Sequence, residues 1–156
     1  MNAEQTFQAL SADAEKDGRS LYRRVLPQSA FDVLLEVGFP DKNRPLAVRS
    51  TGTPYPVPAK QTRGFATSNS LDDGLFRVEL QDGRLAPLFS ALVDNFLAAL
   101  SEAHQSADPI TVLLDRMALW QRRFEELAFD GLSPDEQRGL YAELRFMAHL
   151  LLTTLD

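Results

Sequence analysis

A glutamate set among apolar residues is the strongest chemical signal in this chain. Ser133-Pro134-Asp135-Glu136 opens a helix, with proline at its first position and acids in its first turn. Leu140, Leu144, Met147, Leu151 and Leu155 follow on one stripe, while Asp135, Arg138, Ala142, Arg145, His149 and Thr153 fall on the opposite, solvent-facing side. Glu143 comes between Leu140 and Phe146 around the helix, flanked by Leu150, inside the apolar arc. A carboxylate in such surroundings takes a cation as partner or has its pKa pushed up, because desolvation penalises the charged form. On the residues alone two readings stay open: Glu143 pairs with Arg116 or Arg123 of the preceding helix, or it is kept for chemistry. Gly139 in the same helix costs about 1 kcal/mol relative to alanine. With Ala142 it would let another backbone come close.

The second signal is charge. From Lys42 to Leu71 there is no acid, and Lys42, Arg44, Arg49, Lys60 and Arg63 contribute +5 against a chain total of −6, leaving the remainder at −11. These five cations are the candidate nucleic-acid contacts; phosphate binding there would make affinity fall steeply with salt. Solvated loops and strand edges account for the same pattern more simply. Other chemistry is thinly represented. Neither His104 nor His149 has a second histidine at metal-ligand spacing. The absence of cysteine excludes disulfides, thiolate metal sites and cysteine nucleophiles. The glycines are scattered turn residues, with no phosphate-cradling loop and no Gly-x-Ser-x-Gly elbow. Trp120 reads as a core residue.

The elements that must position these residues follow from periodicity. A short helix is expected over Ala3–Glu15, ended by Asp17-Gly18. Strands are expected over Leu21–Leu26, around Phe31–Val37, over Leu46–Arg49, Gly64–Thr67 and Leu75–Leu80. Pro54, Pro56 and Pro58 forbid a helix or a central strand between them. From Pro87 the period becomes helical, with Leu88, Leu92, Phe96 and Leu100 on one face. After a polar link, Asp108 caps a further helix that begins at Pro109 and places Leu113, Met117, Trp120, Phe124 and Leu127 in a stripe ended by Asp130-Gly131. The expected class is α+β: a small antiparallel sheet of about four or five strands, then three helices. A composition shift near residue 85 divides a sheet-rich region, 1–85, from a helical one, 86–156. At 44% apolar the chain can bury a core, no run approaches the roughly 18 apolar residues of a membrane span, and the polar, acidic start is unlike a secretion signal. The expected compartment is the cytoplasm.

Trp120-Gln121-Arg122-Arg123-Phe124, followed by Gly131-Leu132-Ser133-Pro134-Asp135-Glu136-Gln137-Arg138-Gly139-Leu140-Tyr141-Ala142-Glu143-Leu144, resembles the signature of the bacterial PD-(D/E)XK motif proteins, assigned to the restriction-endonuclease-like superfamily. In that family a Gly-Leu-x-Gly-Glu-Leu helix precedes the nuclease core; here Ala142 replaces the second glycine. The order of short strands, a phenylalanine-bearing helix and a Trp-Gln helix is also similar. The resemblance implies acids that hold Mg²⁺ and a lysine that orients the attacking water. It makes Glu143 the acid of the first helix, a metal ligand only together with residues absent from this chain. The other motif residues are missing: two positions before Lys16, Lys42 and Lys60 stand Ala14, Pro40 and Pro58, so acid-x-lysine occurs nowhere.

The resemblance therefore implies the N-terminal region of a larger endonuclease-like protein. That parent would hydrolyse DNA phosphodiesters with Mg²⁺ in restriction or phage defence, with DNA and defence-system proteins as partners. The 156-residue chain itself, which holds no cofactor, is expected to be catalytically inert. The alternative is a self-sufficient, non-catalytic interaction or oligomerisation module, not bound to membrane, in which Glu143 is a paired structural acid.

Overall fold

The computed structural model describes residues 2–50, 52, 54–61 and 64–126, without the side chains of 121–126, and six further positions: Asp135, Arg138, Gly139, Ala142, Glu143 and Phe146. The first helix, α1 (Ala3–Asp17), begins at a reciprocal cap. The Asn2 side chain accepts the Gln5 N–H at 2.9 Å, and the Gln5 side chain accepts the Asn2 N–H at 3.1 Å. It ends at Gly18, whose φ of +64° is the left-handed conformation a helix C-terminus uses. Ala3, Phe7, Leu10 and Ala14 form its buried stripe.

Five strands follow: β1 (Leu21–Val25), β2 (Val33–Val37), β3 (Leu46–Arg49), β4 (Phe65–Ser70) and β5 (Leu75–Leu80). They form one antiparallel sheet in the order β1-β2-β3-β5-β4. β1 stops one residue earlier than its pattern suggests because Leu26 turns left-handed, with φ of +55°. β4 runs later than expected, through the polar Ser68-Asn69-Ser70. There it is held by a ladder to β5 from Phe65↔Leu80 to Ser70↔Leu75 rather than by apolar alternation. The proline-bearing link between β3 and β4 has neither helix nor strand from Pro54 to Lys60. Its end is pinned where the Lys60 N–H donates to Thr67 Oγ1 at 2.9 Å and the Thr67 N–H donates back to the Lys60 carbonyl at 2.8 Å.

A single turn of 3₁₀ helix at Gly83–Leu85 leads into α2 (Ala86–Glu102), and Asp108 starts α3 (Pro109–Glu126). The three helices cover one sheet face. Phe7 of α1, Leu35 of β2, Leu46 of β3, Phe76 of β5, Phe89 and Phe96 of α2, and Leu113 and Met117 of α3 all belong to one buried cluster. Trp120 is part of it, as its spacing requires, and its Nε1 donates to the buried Asn95 Oδ1 at 3.2 Å. An 18-residue window within Gly83–Glu102 has a mean hydropathy of 1.2, long and apolar enough by length and composition to cross a membrane, although it is no unbroken apolar run. Here its apolar residues are spent on the core, and its length also carries Asp94 and Asn95.

The other sheet face departs from simple alternation. Leu34 of β2, on the side expected to be wet, is 7% exposed and forms a second small cluster with Ala47 and Leu75.

Candidate functional site

Glu143 is helical and exposed, as are Asp135, Arg138, Gly139 and Ala142, and Phe146 is 62% exposed. This corrects the expectation that its carboxylate is turned into an apolar arc. A Cβ built on Gly139 would meet nothing within 4 Å, so no described backbone uses that close approach. No ion pair joins Glu143 to another described residue. Arg116 instead lines an open groove of about 300 Å³ between α2 and α3, with Ala99, Glu102, Ala103, Val112, Asp115 and Leu119. The side chain of Arg123 lies outside the described residues, as does His149.

Among the described residues no three His, Cys, Asp or Glu side chains are grouped to hold a metal ion. Mg²⁺ requires near-octahedral oxygen coordination, and a lone exposed carboxylate does not provide it. The described residues therefore do not fit the metal that the resemblance implies. His104 serves its loop: its Nδ1 lies 2.7 Å from Ser106 Oγ and accepts the Ser106 N–H.

Of the five candidate phosphate contacts four are described, and these do not all share one face. Lys42 is bound to Glu15 of α1. Arg44 lies 3.5 Å from Glu4 and stacks over the Phe7 ring, 5.7 Å from its centroid, on the helix-covered side of the sheet. Arg49 is on the open face, 3.0 Å from Asp32 and donating to the Asp73 carbonyl. Lys60 is exposed in the proline-bearing link, and Arg63 lies outside the described residues. The stretch lacks acids in sequence, but folding brings them in from α1 and the β1–β2 link, and the β4–β5 turn adds a backbone carbonyl. Three of the five charges are thereby engaged.

Two polar clusters emerge that spacing along the chain did not reveal. On the open sheet face, Arg77 of β5 pairs with Glu36 of β2 at 2.9 Å and with Asp73 at 2.8 Å, while Asp32 is shared by Arg24 and Arg49. In the cross-strand register Arg24, Leu34, Ala47 and Arg77 stand side by side on this face. Burial alone would raise the Asp73 carboxyl. The hydrogen bonds from Arg77, the Leu75 N–H and Ser70 outweigh that and hold it below its usual range. On the helix side, Glu4 accepts from buried Ser90 of α2 and from Gln8 and faces Arg44; these outweigh its partial burial and lower its pKa. Asp94 accepts the Ala3 N–H at 2.8 Å, so α1 is tied to α2 at its first residue. The contacts of Arg77 with Glu36, of Glu4 with Arg44 and Ser90, and of Asp94 with Ala3 join residues far apart in sequence, which is why no local pattern announces them.

No curated protein and no solved structure matches this chain. A family model does, over residues 3–156, under the description "Putative PD-(D/E)XK family member (DUF4420)". The chain belongs to that family.

Proposed function

We propose that, as a member of this nuclease-like family, the chain is the N-terminal region of a larger Mg²⁺-dependent endonuclease that hydrolyses DNA in restriction or defence against phage. The observation that carries this reading is the family match over nearly the whole chain, including the helix with Glu143. The surroundings of Glu143 are consistent with it. Its carboxylate is exposed and joined to no other described residue by an ion pair, so it is open to ligands brought by further sequence. What residues 2–126 supply in this reading is a packed α+β body on which that helix is carried.

The test compares this chain with a longer protein that continues it. The 156-residue chain should give no Mg²⁺-dependent nicking of supercoiled plasmid. The longer protein should nick it, and Glu143→Gln should abolish that activity while moving stability by no more than about 0.5 kcal/mol, as for an exposed site. Cleavage by the short chain that is lost in Glu143→Gln would overturn its inertness. A longer protein that binds Mg²⁺ but leaves plasmid, linear duplex and single strands intact would overturn the nuclease reading.

A further inference from the structure

The uncovered edge of the sheet carries a surface that the fold does not explain. Among the described residues β1 pairs only with β2, whereas β4 at the other edge is partly closed by Lys60 and Gln61 of the preceding link. Tyr22 of β1 is 70% exposed. It lies on the open face, where residues two apart share a side, so Arg24 stands next to it at about 6.8 Å along the strand. Arg24 and Arg19 are 52% and 72% exposed. Arg19 lies in the three-residue link before β1, and exposed Lys16 closes α1 just ahead of it.

The local acids leave this edge positive. Asp17 approaches Arg19 only at 3.7 Å. The single carboxylate of Asp32 is divided between Arg24 at 3.3 Å and Arg49 at 3.0 Å, so two guanidiniums share one negative charge. Glu36, cross-strand from Tyr22, is engaged by Arg77. Charge on an edge strand is enough to prevent edge-to-edge aggregation. That purpose does not call for an aromatic ring held in water beside the arginines.

We propose that this edge, through Arg19, Tyr22 and Arg24, binds single-stranded DNA, with the Tyr22 ring stacking on an unpaired base and the guanidiniums contacting phosphates. An exposed ring beside cations is the arrangement that reads strands without sequence preference. The choice of DNA rests on the nuclease reading above; the surface itself does not. The assignment rests on the exposed ring beside the guanidiniums, each of which, like Arg44 and Arg49, also has an acid within 4 Å.

The test is fluorescence anisotropy of a labelled oligodeoxythymidylate with the full chain and no metal. If the two guanidiniums each neutralise one phosphate, affinity should fall about sevenfold between roughly 50 and 200 mM salt. Tyr22→Ala should weaken binding at least about fivefold without changing that salt dependence, and Tyr22→Phe should restore it. Arg24→Ala should reduce the salt slope by about 0.7. Circular-dichroism melts of these exposed-site variants verify that they fold. Absent binding, binding indifferent to both Tyr22→Ala and Arg24→Ala, or equal competition by unlabelled duplex would each overturn the assignment. Because no cleavage is read, these outcomes are separate from success or failure of the plasmid assay.

Discussion

Glu143 and Asp73 show how differently one functional group fares at two positions. Glu143 has apolar neighbours in sequence and water around it in space. Asp73, in an ordinary turn, is drawn into a half-buried network with Arg77 and Glu36. Glu4 and Asp73 both have carboxyl pKa values held below the ordinary range, each by hydrogen bonds and a nearby arginine that outweigh partial burial. The sign of the consequence follows by linkage. A depressed folded-state pKa gives stability that is present above the unfolded value near 4 and is lost as pH falls through the folded value. Urea midpoints should therefore decline below about pH 4. That decline should be shallower in the double variant Glu4→Gln, Asp73→Asn. Identical acid limbs would show that the two carboxylates do not couple to folding.

At the scale of elements, most boundaries are set by short-range chemistry. Asn2 with Gln5 begins α1, Gly18 ends it, and Asp108 begins α3. Asp108 does two jobs: its Oδ1 accepts the Ile110 N–H at 3.3 Å, and its Oδ2 accepts from Thr111 and from the Tyr55 hydroxyl of the proline-bearing link. The link is held again where the Asn69 side chain donates to the Tyr55 carbonyl at 2.6 Å. Tyr55→Phe removes one partly exposed hydrogen bond and should cost less than about 1 kcal/mol, since Asp108 still caps the helix. Asp108→Ala removes the cap together with the tether and should cost about 1–2 kcal/mol. Chemical denaturation ranks the two, and equal losses would mean that the cap contributes nothing.

The whole molecule is one packing problem. α1, the sheet, α2 and α3 each contribute to the same buried cluster, so residues on either side of position 85 share a core. Trp120, the single tryptophan, is buried in α3 and reports on its far side from β1. Its fluorescence and the far-ultraviolet dichroism of the whole chain should lose structure at the same denaturant concentration. Phe76→Ala in β5 should shift both together, by about 3–5 kcal/mol. A dichroism transition left in place while the fluorescence moves would instead separate a sheet-rich unit from a helical one.

Much was determined locally and so was legible in the residues alone. The α+β class, β3 over Leu46–Arg49, β5 over Leu75–Leu80, the Asp108-Pro109 helix start and the family signature around Glu143 all depend on periodicity, caps and spacing within a few residues. Tertiary structure decided what depends on distant partners. β4 reaches Ser70 because β5 offers it a ladder. Leu34 is buried with Ala47 and Leu75 of other strands, and the acid-free stretch loses its free charge to Glu4, Glu15 and Asp32. Spacing along a chain reports which side of its own element a residue occupies. Which charges meet, and which edge stays open, are settled only when the elements pack.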